Sequence, residues 1–346
     1  MDVPFSEYSY VSSNCNGFAH QSGTLIFIPE NAFVREDGKD CNGKITIKYR
    51  ELVNQTDILV SGINMIYVKN GRRILLESAG MFEIKAECNG TPLKIKPDKE
   101  IQVRMNCVND LKNLSSYIYN FEKNYWEDAN LPISDFTFKN NSNNKDDVNL
   151  WGASSVKSTA QNSNNEDMMS DSARTAFLNN VVGKLPDGYI KGLNIKKTGL
   201  YNYDAIIKDE NAVQIIAKFK LSTREDVNDK IYVAYPKKNM LVYYTPEDMN
   251  ERFYLLPVKG LKIFSVLKDG SVAIIKEEEI TQTAIKNLKG KEHTFILEKQ
   301  TEKPKDRNTL AKAVNIPIIN YAQENSNNIY SFDIYLQSKC SKEFNE

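Results

Sequence analysis

The chain has 346 residues, 41% apolar and 26% charged, which is enough for roughly two packed domains with polar chain between them. Lys plus Arg and Asp plus Glu number 45 each, so no long-range field steers the protein towards nucleic acid or an anionic membrane. No apolar run approaches the ~18 residues of a membrane-spanning helix, and the residues after Met1 lack the basic and apolar regions of a secretion signal.

In chain order, residues 1–22 read as an arm or short first strand, and Thr24–Ile28 as a strand stopped by Pro29, which cannot donate to a ladder. Ile45, Ile47 and Tyr49 alternate with Thr46, Lys48 and Arg50, the period of a half-buried antiparallel strand. The pattern recurs at Phe82, Ile84 and Ala86, at Ile101, Val103 and Met105, and at Tyr117, Tyr119 and Phe121, with Trp126 following. Asp37-Gly38, Asn70-Gly71 and Asn89-Gly90 predict type I′ hairpin turns, because both central residues need positive φ. Residues 1–138 are therefore expected to form one all-β domain. Residues 139–185 are rich in Asn and Ser and poor in large apolar side chains, so they read as a linker, with Trp151 as an oddity and a short helix at Ala173–Val182.

Strand signals return in a second β-rich domain over 186–300. Val213, Ile215, Ala217 and Phe219 alternate with Gln214, Ile216, Lys218 and Lys220, followed by strands at Ile231–Tyr235, Leu241–Tyr244, Leu261–Val266, Val272–Ile275 and His293–Leu297. Asp269-Gly270 predicts a fourth hairpin. Thr245-Pro246 predicts a single helical turn, and Glu277–Leu288, closed by Gly290, predicts the main helix. Residues 301–346 read as a charged linker and a C-terminal strand at Tyr330, Phe332, Ile334 and Leu336.

Few residues point to chemistry. His20 and His293 lie far apart and read as surface or strand residues. Cys15, Cys41, Cys88, Cys107 and Cys340 show neither zinc-knuckle nor Cys-x-x-Cys spacing; up to two bridges are allowed and spacing favours none. Glu77-Ser78-Ala79-Gly80 is not a nucleophile elbow, and Gly80 is expected at a bulge or close backbone approach. Asp146-Asp147 and Glu166-Asp167 lack the spaced ligands of a calcium loop. Arg50 and Glu51 with Asp57 are read as a structural polar anchor, an ion pair at a strand end, with Arg suited to the bidentate part. Tyr201, Tyr203, Tyr243 and Tyr244 form the proposed interaction surface, since exposed tyrosines suit protein or glycan contacts.

The stretches Gly23–Phe33, Ile47–Glu51, Asp57–Met65 and Glu77–Ile84 resemble modular proteins found mainly in the cell envelope of Bacteroidetes-type bacteria. More distantly, residues 23–130 resemble the ZU-type β-domain of ankyrins, netrin receptors and zonula occludens proteins, with Pro92 and Pro97 placed as that pattern requires. The resemblance implies an N-terminal ZU-like antiparallel sandwich, an exported or envelope setting, and binding of other proteins.

The combined expectation is a mainly β protein of two β-rich domains joined by a polar linker, acting as a non-enzymatic structural or protein-interaction module. It carries no cofactor, metal or catalytic residue, binds another protein, and binds neither nucleic acid nor a membrane by a span. The alternative is a carbohydrate- or metal-binding accessory protein. An enzyme would need a carboxylate pair converging in a cleft.

Overall fold

A computed structural model describes residues 1–12, 16–41, 43–70, 72–107, 111–137, 189–207, 211–249 and 253–318. The predicted linker with Trp151 and its short helix, the two acidic pairs within it, the C-terminal strand, Cys15 and Cys340 lie outside these residues. The described chain is mainly β. Its first half contributes β1 (Ser6–Val11), β2 (Asn16–Ala19), β3 (Leu25–Ile28), β4 (Phe33–Arg35), β5 (Lys44–Leu52), β6 (Ile66–Lys69), β7 (Arg72–Cys88), β8 (Thr91–Ile95), β9 (Ile101–Cys107), β10 (Ser115–Asn120), β11 (Tyr125–Asp128) and β12 (Ser134–Thr137). After these come β13 (Tyr189–Ile195), β14 (Gly199–Ile206), β15 (Val213–Leu221), β16 (Ile231–Tyr235), β17 (Met240–Tyr244), β18 (Phe253–Leu255), β19 (Lys262–Val266), β20 (Val272–Ile275) and β21 (Glu292–Lys299).

One sheet runs β1-β5-β7-β14-β10-β11-β6, and a second runs β12-β13-β9-β3-β2. They face each other across a core that includes Ile26, Ile28, Ile47, Phe82, Val103 and Leu193. Within the first sheet β7 pairs with β6 as well as β14, and a parallel bridge between Trp126 and Tyr67 joins β11 to β6. That end of the sandwich therefore closes on itself and removes two edges. From sequence, residues 189–206 belong with the second unit. Instead, β13 pairs with β9, and β14 pairs with β7 and β10. Alternation tells which face of a strand is buried but not which sheet it joins.

Turn chemistry is mixed. Asn89 and Gly90 both have positive φ, 51° and 80°, and make the expected type I′ turn. At Asp37-Gly38 and Asp269-Gly270 only the glycine does, at 81° in each. The bonds Gly38 N→Arg35 O and Gly270 N→Leu267 O close longer loops around an αL glycine. Gly80 stands at the predicted bulge, with φ 148°; a Cβ there would lie 2.7 Å from Met105 Cε.

The remaining strands form a seven-stranded sheet, β17-β16-β19-β20-β21-β15-β18, parallel only between β15 and β21. Two helices are absent from the sequence reading. Gln55–Ser61 is capped by Asn54, whose Oδ1 accepts from Asp57 N, and ends at Gly62 with φ 69°. Arg307–Val314 begins at Asp306 in a capping box with Thr309, where a charged linker was expected. The predicted helix 277–288 is broken. Thr281 is extended (φ −65°, ψ 158°) and caps a new start, which separates a 3-10 turn at Glu277–Ile280 from a helix at Gln282–Lys286.

The two halves share a second apolar core, in which Leu52, Ile58, Met65 and Trp126 join Val242, Phe264, Leu310 and Val314. Their seam lies along β17, the end strand of the seven-stranded sheet. The Asn64 carboxamide donates to Tyr243 O and accepts from Tyr243 N, both at 3.2 Å. Gln55 Nε2 donates to Met240 O at 2.9 Å, and Asn239 Nδ2 donates to Val53 O at 3.1 Å. A strand edge is thus sealed by side chains that imitate a neighbouring strand. Arg73–Asp248 at 2.7 Å, Lys238–Glu77 at 3.1 Å and Arg307–Asp57 add ion pairs across the seam.

Candidate functional site

A buried polar cluster gathers on the turn between β2 and β3. His20 N donates to Thr24 O at 2.8 Å, and Gly23 N donates to His20 O at 2.9 Å. This tight loop turns His20, Ser22 and Thr24 towards β5, where Glu51 and Tyr49 meet them. All five are buried. Ser22 Oγ and Tyr49 OH each donate to Glu51 Oε1 at 2.8 Å. His20 Nδ1 lies 2.8 Å from Ser22 Oγ and 3.6 Å from Glu51 Oε1. Its other ring nitrogen, Nε2, lies 3.3 Å from Ser6 Oγ at the start of β1. The ring also packs edge-on against Tyr49, 5.1 Å between centroids.

Burial by itself would raise the Glu51 carboxyl. Hydrogen bonds and charge from His20, and the hydroxyls of Thr24 and Ser22, overcome this and hold it below the usual carboxylate range. It is therefore ionised at neutral pH and can only accept. That assigns the protons along the chain. Ser22 has one hydroxyl hydrogen, and at 2.8 Å from a carboxylate it must point there. Ser22 Oγ then accepts from His20 Nδ1–H, which leaves Nε2 as the ring nitrogen that faces Ser6. The Ser22 amide also approaches Nδ1, at 3.4 Å, a longer contact that does not displace the 2.8 Å bond. Tyr8 is held protonated mainly by burial, against the lowering effect of Ser6 and with the Glu51 charge adding to the rise. Ser6 itself is half-buried.

The residues read as one polar anchor serve three places. Arg50 donates from Nε to Glu83 at 2.7 Å and from Nη1 to Asp2 Oδ2 at 2.7 Å and Val3 O at 2.9 Å, with Phe5 under its guanidinium. It thus pins the segment before β1. Glu51 belongs to the His20 cluster. Asp57, in the first turn of its helix, accepts from Val53 N at 3.3 Å and Asn54 Nδ2 at 2.8 Å and pairs with Arg307; burial raises its carboxyl to about 6, against the lowering effect of Arg307. No Arg50–Asp57 pair forms, because the helix after β5 carries Asp57 away.

The four tyrosines expected at an interaction surface do not form one. Tyr201, Tyr203, Tyr243 and Tyr244 are all buried. Tyr201 and Tyr203 pack on Phe82, Tyr201 OH donates to Lys197 O, and Tyr244 OH donates to Tyr254 O. These aromatics serve the sheets and offer no exposed platform for a glycan. His293 packs edge-on to Phe295 on β21 at 4.5 Å. Ser78 bonds Asn202 and the Gly80 amide, each within 3.1 Å, and contributes to a buried patch with Asp204, whose carboxyl burial raises well above the usual range.

Sequence reasoning missed Ser6, Ser22 and the engagement of His20. Ser6 and His20 are 14 residues apart, and Ser22 and Glu51 are 29 apart; only strand pairing brings them together. The one local signal is His20-x-Ser22-x-Thr24 with glycine at 23, polar residues of one parity just ahead of the predicted strand Thr24–Ile28. Among the described residues no group of three or more His, Cys, Asp or Glu could hold a metal ion, and no helix is long and apolar enough to cross a membrane. The chain matches no family model, no curated protein and no solved structure.

Proposed function

We propose that this chain is a structural or protein-interaction module of the bacterial cell envelope, which holds sheet edges and loops at fixed positions for a protein partner. The observation that carries this reading is the seam. Asn64 pairs with the Tyr243 backbone over a shared apolar core, so the two β-rich halves are built to move as one body. Rigid presentation lowers the ordering cost of binding. Strands β1, β2, β12 and β18 end their sheets among the described residues, and strand addition at such an edge needs only main-chain groups. The Cys41–Cys88 disulfide supports an oxidising compartment, and the resemblance of residues 23–130 supports the envelope.

The test is an affinity pull-down of the intact, oxidised protein from lysate and envelope fractions of its own source, with Asn64→Ala in parallel. A stoichiometric envelope protein, recovered less well by the variant, is the expected result. Absence of any partner above background contradicts the reading.

A further inference from the structure

The His20 cluster reaches beyond the module reading and does not depend on it. We infer that Ser6 is a nucleophile towards acyl esters, with His20 as its general base and Ser22 and Glu51 as the groups that orient the imidazole. The geometry brings together a nucleophile, a base and the groups that orient it. The nucleophile and the base are in contact, Ser6 Oγ to His20 Nε2 at 3.3 Å, a separation common before substrate tightens the site. The base is oriented by a third group, since Nδ1 meets Ser22 Oγ at 2.8 Å and Ser22 meets Glu51 at 2.8 Å. The carboxylate, 3.6 Å from Nδ1, stabilises the imidazolium formed during reaction.

The step balances with groups already present. Ser6 Oγ bonds to the ester carbonyl carbon while its proton passes to His20 Nε2. The tetrahedral adduct collapses, the carbon–alkoxide bond breaks, and the leaving alkoxide takes that proton as it departs as alcohol. Water then attacks the acyl-serine, gives one proton to Nε2, and releases the acid as Ser6 recovers the proton. Ester plus water becomes acid plus alcohol, with no oxidant or metal involved.

A fluorophosphonate probe tests this on the intact protein, with adduct mapping by mass spectrometry. Ser9 supplies an internal control: it lies on the same strand, is exposed, and its hydroxyl meets Thr46 Oγ1 at 3.3 Å with no histidine beside it among the described residues. The expected result is an adduct on Ser6 that forms at least about 100-fold faster than on Ser9 and disappears in Ser6→Ala. In Ser22→Ala or His20→Gln the rate falls by roughly 100-fold or more. Labelling of Ser6 no faster than Ser9, or no Ser6 adduct, overturns the assignment. That comparison is made within the folded wild-type chain, so it stands even where a variant fails to fold. It is also read independently of any partner recovered in the pull-down.

Discussion

Truncating Asn64 to alanine removes one side chain but opens two main-chain groups. The Asn64 carboxamide is the partner of both Tyr243 N and Tyr243 O, at 3.2 Å each, and both residues are buried. A buried donor or acceptor left unpaired costs about 1–3 kcal/mol, so the two together set an expected loss of about 2–6 kcal/mol. The Asn64 carbonyl, which accepts from Trp126 Nε1 at 2.9 Å, is backbone and survives the change, so the closure of β11 on β6 is not the source of the loss. Asn64→Asp sharpens the test. The carboxylate still accepts from Tyr243 N but faces Tyr243 O without a proton, so at pH 7 this variant is expected to lose at least as much as alanine. It should recover part of the loss at low pH, where the side chain is protonated. Urea unfolding followed by far-UV circular dichroism, at both pH values, reads the difference as a change in midpoint at constant slope. If Asn64→Ala unfolds within about 0.5 kcal/mol of wild type, the range of an ordinary surface substitution, the seam does not hold the halves as described.

Replacing Cys41 and Cys88 by alanine should lower stability by about 4 kcal/mol, the unfolded-chain entropy of closing a separation of 47 residues. Reductant should lower wild type by a similar amount and leave the double variant unchanged. Asp204→Asn should raise the melting temperature at pH 7–8 and have little effect near pH 4. Burial raises the folded-state pKa of Asp204 well above its ordinary value, so the stability it contributes is complete below about 3.9 and is lost as pH rises through the folded value; asparagine cannot ionise. Gly80→Ala should cost about 1–3 kcal/mol by overpacking, because its Cβ would meet Met105 Cε at 2.7 Å, with the φ of 148° adding strain. Thermal melts of the folded variant read this directly.

Strand content was legible because period-two alternation is a local signal; β5, β9, β15 and β16 stand where Ile45–Tyr49, Ile101–Met105, Val213–Phe219 and Ile231–Tyr235 placed them. Sheet membership was not, since β13 and β14 have the same alternation whichever sheet they join. The helix Gln55–Ser61 is too short for a clear apolar period, and its Asn54 and Gly62 signals sit eight residues apart amid strand-like Ile58, Leu59 and Val60. Tyrosines 201, 203, 243 and 244 were read as surface because aromatic composition does not reveal the face of a strand. The His20 cluster stayed hidden for a different reason. Its members come from β1, a turn and β5, and the hydrogen-bond order that fixes the His20 tautomer exists only after those elements pair.

Differential scanning calorimetry of the intact protein tests most directly whether the halves behave as one body. A single transition, with calorimetric and van't Hoff enthalpies equal, is the predicted result, and Asn64→Ala should move it down as one peak or begin to split it. Two resolved transitions in wild type, unmoved relative to each other by the variant, would contradict the account.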